Sequence, residues 1–213
     1  MYQLYYYPNN ASLAPHFILA ELGVDFELLL VDRKSDAQKS KEYLALNPAG
    51  RIPTLIDNDL VLFESPAICL HLCEQNPDAG LIPTQPAKDR ALFFQWMMYL
   101  TNTVQAELMV YFYPKKHTVK ESHASEIVTA QEARVTDMLI LLDVELEGKN
   151  YLVGDRLTAC DYFLLMLCFW ADNFQRPPQS FPNLRGYLKR LVQRDAVQSV
   201  CKTENIDLSP YLE

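Results

Sequence analysis

The sequence predicts an α/β domain followed by an all-helical one, and three observations carry that prediction. Strand, helix and strand, then two strands and a helix, follow one another over residues 1–79, a βαβ–ββα series. The stretch GLIPTQPAKD (80–89) has two prolines and a glycine and reads as a connection. Beyond Pro86 only helical patterns follow, with no internal repeat. The predicted units are 1–79, a linker over 80–86 and a helical domain over 87–213.

The elements follow from local chemistry. YQLYYY (2–7) is short, aromatic-rich and closed by Pro8, as suits a strand. SLAPHFILAELG (12–23) spaces its apolar residues helically, with Ser12 as N-cap, Pro15 in the first turn and Gly23 as the stop. FELLLVD (26–32) is strand-like again, so the crossover from the first strand is parallel. SKEYLALNP (40–48) is a short helix ended by Asn-Pro. TLID (54–57) and LVLFE (60–64) flank Asn58-Asp59, a two-residue hairpin signal. SPAICLHLCEQNP (65–77) starts a helix with Ser65 as N-cap and Pro66 at its first position. Later helices are predicted near 87–111, 118–147, 158–173, 183–193 and 195–203. In TACDYFLL (158–165), Thr158 and Asp161 stand at capping-box spacing.

Composition narrows the function classes. Hydrophobic residues make up 49 % of the chain, enough for a large core. A net charge of −8 without a Lys/Arg-rich run argues against a nucleic-acid partner. The five cysteines are odd in number and sit in apolar helical contexts, as reduced core residues of a cytosolic protein do. Cys69 and Cys73 have no matching Cys/His pair, so no metal is expected. No signal-peptide pattern stands before the first strand, and no run approaches the ~20 apolar residues of a membrane span. The expectation is a cytoplasmic protein with no membrane partner.

Two segments carry chemical meaning. In NPAGRIPTL (47–55), Pro53 enters a strand and removes a ladder donor; a cis Ile52–Pro53 bond and an ordinary edge proline both account for it. A cis bond would offer the backbone of Ile52 to an extended peptide ligand. At Glu64-Ser65-Pro66 a strand end meets a helix amino terminus, whose free N–H groups and dipole suit a carboxylate. Glu64 adds a negative charge beside it, so the pair suits an α-amino acid end.

Taken in order, the IPTL segment, the ESPAI turn, the proline-bearing linker and the Thr158–Asp161 cap resemble the cytosolic glutathione transferases over the full chain. The resemblance implies a thioredoxin-like first domain that binds glutathione, and a helical domain lining the electrophile pocket. It implies that Pro53 is cis, that Ile52 bonds the cysteinyl unit, and that Glu64 and Ser65 hold the γ-glutamyl end. The cap at Thr158–Asp161 would serve folding. YYYPNNASLAPH (5–16) is similar to the bacterial beta class, but Ala11 stands where that class has cysteine. Ser12, Asn10 and Tyr6, in that order, are the candidates to stabilise the glutathione thiolate; His16 reads as a packing or capping residue. Lys34 is a candidate for the glycyl carboxylate, although the loop at 33–40 departs from the beta pattern. Gln105 matches a glutathione-contacting histidine of that class. Tyr111 and Tyr113 read equally as pocket wall and as core.

The predicted activity is transfer of glutathione, as co-substrate with no further cofactor, to small, apolar electrophiles by a homodimer. The alternatives are a glutathione-dependent disulfide reductase and a non-catalytic, transferase-like binding or regulatory protein.

Overall fold

Alternation along the first strand decides what each face of the sheet touches. In β1 (Tyr2–Tyr6), Leu4 is fully buried in the main core, with Tyr2 and Tyr6 on the same side. Tyr5 and the following Tyr7 point the other way, into a small cluster of Val31, Tyr43 and Ile52. The computed structural model describes residues 1–85 and 87–212. β2 (Phe26–Leu30) runs parallel to β1, and β3 (Thr54–Asp57) and β4 (Leu60–Phe63) complete an antiparallel edge, in the order β2-β1-β3-β4. α1 (Leu13–Leu22), α2 (Lys41–Leu46) and α3 (Ser65–Gln75) give the predicted βαβ–ββα series. Asn58 has a φ of 52°, as a tight hairpin requires. Gly23 ends α1 at φ 63°, its N–H bonded to the carbonyl of Ala20.

The helical part comprises α4 (Lys88–Tyr99), α5 (Ala106–Phe112), α6 (Ala124–Glu145), α7 (Ala159–Trp170), α8 (Pro182–Val192), α9 (Asp195–Glu204) and the short α10 (Ser209–Leu212). The helix predicted over 87–111 is broken in register: Leu100–Gln105 forms a π turn between α4 and α5. Such a turn leaves no mark on apolar spacing, and it often accompanies a functional site. The helix predicted from 118 starts only at Ala124, after two short 3₁₀ turns. α10 was not predicted; four residues are too few for a periodic signal. The predicted linker ends on Pro86 and the second domain on Glu213, both outside the described residues.

Three capping expectations have three outcomes. Ser12 precedes α1 but makes no capping bond with its side chain. At α3 the helix begins one residue early, so Glu64 occupies the cap position with a φ of 73°. The Asp161 half of the third is complete. Its fully buried carboxylate accepts from the N–H of Thr158 at 2.7 Å and of Leu152 at 2.8 Å. It also accepts from the hydroxyls of Thr158 at 3.0 Å and Tyr187 at 2.7 Å. Burial pushes its pKa up, and those donors oppose the rise.

The sheet and the helices share one core. Leu4, Phe17 and Ile68 join Phe93, Trp96, Tyr162 and Phe163 in a single buried cluster, with Phe17 stacked on Tyr162 at 5.5 Å. Above that stack Glu21 of α1 accepts from Tyr162 Oη at 2.5 Å and from Arg194. α7 is buried from Ala159 to Phe169, as a helix apolar all round must be. Among the described residues no helix is long and apolar enough to cross a membrane.

Asp172, just past α7, accepts a hydrogen bond from Tyr211 of α10. Burial raises its pKa to about 6, against the opposing effect of that bond. The folded chain therefore holds a proton that the unfolded chain has released between about pH 4 and 6. That stability is fully present below the unfolded pKa and is lost as pH rises through about 6. With solvent screening, the loss is expected to be about 1–2 kcal/mol. Urea denaturation at several pH values checks this: Asp172→Asn should flatten the slope, and an unchanged slope would assign it to other groups.

Candidate functional site

The loop between β1 and α1 is folded on its own polar groups. Ser12 is fully buried; its Oγ donates to the carbonyl of Tyr7 at 3.2 Å and lies 3.3 Å from the Tyr7 N–H. Asn10 is half-buried, with its Oδ1 accepting from the Ala11 N–H at 2.8 Å and its carbonyl from Leu13 at 2.9 Å. The amide nitrogen of Asn10 makes no hydrogen bond among the described residues. Tyr6 turns toward α1, its ring 6.3 Å from that of His16. Strand parity puts Tyr6 on the face opposite Ile52, and Tyr7 on the same face as Ile52.

The two other predicted segments meet this loop. Ile52–Pro53 is cis, and Ile52 is buried against Val31 and Tyr43. The segment is held from below: Tyr43 Oη donates to the carbonyl of Arg51 at 2.7 Å, and Asn47 Nδ2 donates to the same oxygen at 2.8 Å. Ser65 is buried, and its hydroxyl donates to the carbonyl of Ala11 at 2.5 Å. That hydroxyl, expected to face an anion, instead ties the amino end of α3 to the first loop. Glu64 is exposed, and its positive φ is a backbone conformation a glutamate adopts only at a cost of about 1–3 kcal/mol. Such outliers gather at ligand-holding positions.

The helical part closes the loop from the other side. Glu204 of α9 is buried; one carboxylate oxygen accepts from the Asn9 N–H at 2.8 Å and the other lies 2.6 Å from His16 Nδ1. His16 is therefore neither simple filling nor a cap, but a partner of a buried carboxylate 188 residues away. Glu204 escapes local pattern reading because its partners are remote in sequence. Gln105 is half-buried on the π turn, and Lys34 is exposed. Tyr111 is half-buried, its ring 4.8 Å from that of Phe174 and packed on the main core, which favours the core reading. Tyr113 reaches across to the sheet domain, accepting from Arg33 at 2.6 Å. Arg33 and Tyr7, like Glu204, were missed by sequence reasoning; strand parity carried a signal for Tyr7.

The five cysteines are free and buried. Burial pushes the thiols of Cys73 and Cys201 up to about 12 and raises those of Cys69 and Cys160 as well. Thiols so placed are inert. A groove of about 530 Å³ lies between α1 and the α8–α9 corner, lined by Glu21, Arg190, Arg194 and Asp195. None of the candidate residues lines it.

Comparison with known proteins matches the glutathione S-transferase N-terminal domain at residues 1–74 and the C-terminal domain at 102–195. Glutathione S-transferase D7 of Drosophila melanogaster is 32 % identical over 191 residues, covering 87 % of this chain and 82 % of its own. The structure of a sphingomonad glutathione S-transferase complexed with glutathione superposes with a TM-score of 0.84 at 30 % identity, over 96 % of this chain and all of the other. The beta-class enzyme of Sphingomonas chungbukensis gives the same TM-score at 28 % identity, over 96 % of this chain and 100 % of its own. With both domains matched in order and the fold shared end to end, the chain belongs to the glutathione S-transferase family.

Proposed function

We propose that the protein binds glutathione along the first loop, Ile52-Pro53 and Glu64-Ser65, and transfers it to small, largely apolar electrophiles. The thiol first loses its proton to solvent. The thiolate then forms the new C–S bond as the electrophile's leaving group departs or its double bond takes up the electrons. The observation that carries this reading is the Ser65–Ala11 hydrogen bond, which joins the predicted γ-glutamyl end to the loop predicted to hold the sulfur. Glutathione bound to the sphingomonad relative supports the same ligand here.

Within the loop, the geometry favours Asn10 over Ser12 as the side chain that donates to the thiolate. Ser12 would have to release Tyr7 first, whereas the Asn10 amide nitrogen is uncommitted. Tyr6 faces the core side and ranks last. Gln105 and Lys34 complete the glutathione site, and Tyr113 walls the electrophile pocket. The two functional units extend over 1–79 and 87–213, joined by 80–86.

Removing the Glu64 carboxylate is expected to weaken glutathione binding by about 1.5–3 kcal/mol, the range for a charge-assisted hydrogen bond, and removing the Ser65 hydroxyl to weaken it indirectly, by releasing the Ala11 carbonyl and loosening the first loop. Calorimetry on Glu64→Ala and Ser65→Ala checks this. Unchanged affinity in both variants would end the γ-glutamyl assignment.

We further propose a cytoplasmic homodimer. Leu60, Val61 and Phe63 on the edge strand β4 and Leu92 and Met98 on α4 are exposed apolar side chains, positions that a second copy would cover. Light scattering should give twice the 24.5 kDa of the chain at micromolar concentration; the mass of one chain would refute the dimer.

A further inference from the structure

Two cations and two aromatic rings, drawn from both domains, stand together where the first strand and the turn after β2 meet the segment that follows α5. Arg33, just after β2, donates from Nη2 to Tyr113 Oη at 2.6 Å, and its guanidinium carbon lies 5.8 Å from the centre of the Tyr7 ring. The Lys116 ammonium lies 4.6 Å from the centre of the Tyr113 ring. Among the described residues neither cation is within ion-pair distance of a carboxylate. The acidic residues adjacent in sequence have other partners: Asp32 Oδ1 accepts from the Lys34 N–H at 2.9 Å, Asp36 Oδ1 from Gln38 at 3.0 Å, and Glu121 from Lys115 at 3.1 Å.

A phenol hydroxyl orients a guanidinium without neutralising it. One donor of Arg33 is spent on Tyr113, and the planar fork keeps further N–H groups for a carboxylate. Tyr7, whose ring Arg33 overlies, leads into the first loop, the segment proposed to hold the sulfur, and bonds Ser12 of that loop through its backbone. In a chain of net charge −8, an oriented guanidinium and an exposed ammonium beside flat rings, neither neutralised by a carboxylate, form a local site for an aromatic anion.

We infer that Arg33, oriented by Tyr113 and assisted by Lys116, selects electrophiles whose aromatic ring bears a carboxylate away from the reacting carbon. The inference rests on the transferase reading above and names the substrate class of that site.

The test compares two aryl chlorides, 4-chloro-3-nitrobenzoate and the uncharged 1-chloro-2,4-dinitrobenzene, at saturating glutathione. In both, the thiolate sulfur bonds to the ring carbon, the C–Cl bond breaks and chloride leaves with its electron pair. Each kcat/KM is divided by the rate constant of the uncatalysed reaction, which removes intrinsic reactivity. The normalised ratio of anionic to neutral substrate should exceed one and fall with added salt. Arg33→Gln should lower that ratio by about ten- to a hundredfold, the loss of one charge-assisted contact. Arg33→Lys, which keeps the charge but not the fork, should lower it less, as should Lys116→Gln. A ratio that Arg33→Gln leaves unchanged overturns the inference while the transferase reading stands. So does a rise in the KM for glutathione that is equal with both substrates, since Arg33 would then hold the glycyl carboxylate. Conjugation of neither compound overturns this inference and the transferase reading together.

Discussion

Asp161→Ala is expected to yield little folded protein. The substitution strands the Leu152 and Thr158 amides and the Thr158 and Tyr187 hydroxyls, four donors in a fully buried site. Each stranded donor costs about 1–3 kcal/mol, so together they approach the ~5–15 kcal/mol by which a domain is stable at all. Asp161→Asn keeps the shape and one acceptor, and should fall between the variant and the parent. Soluble yield and guanidinium denaturation read the effect. A loss below about 1 kcal/mol in Asp161→Ala would mean that water or rearrangement satisfies those donors.

Asn10→Ala is expected to cut turnover with a reactive electrophile by roughly 10- to 1000-fold, the range for removing one donor to a developing or stabilised anion. Glutathione affinity should change little, since the contact matters for the charged sulfur. Ser12→Ala breaks the Oγ–Tyr7 hydrogen bond and should chiefly cost stability, about 1 kcal/mol. Steady-state kinetics on both variants separates the two roles. A large kinetic loss confined to Ser12→Ala would restore the serine hydroxyl as the thiolate donor. Because Ala11 stands in the loop, no mixed disulfide with glutathione should form at residues 5–17, and mass spectrometry of the intact protein reads that directly.

The α/β-then-helical order was legible because each signal was local: the short aromatic run 2–7 closed by Pro8, the Asn58-Asp59 hairpin, Gly23 as a stop, and Asp161 three residues after Thr158. The break at Leu100–Gln105 was not, because one extra residue in a turn leaves the apolar spacing nearly intact. Ser12 and Ser65 were legible as polar groups at helix starts, but not what they bond. Each hydroxyl serves a carbonyl of the first loop, Tyr7 and Ala11 respectively, a choice set by how the chain crosses itself. Glu204 and Arg33 were invisible for the same reason. Their partners are Asn9, His16 and Tyr113, far off in sequence and brought near only by the shared core.

As proposed, the first loop holds glutathione as a thiolate without a covalent bond. Ultraviolet difference titration of the protein–glutathione complex measures it most directly, since the thiolate absorbs where the thiol does not. A donor from the loop together with the amino end of α1 should bring the apparent pKa of the bound thiol about two units below its usual ~8.5, equivalent to about 2.7 kcal/mol. Asn10→Ala should return most of that shift. A bound thiol that titrates near 8.5 in the parent protein would contradict the account, because glutathione would then be held without being activated.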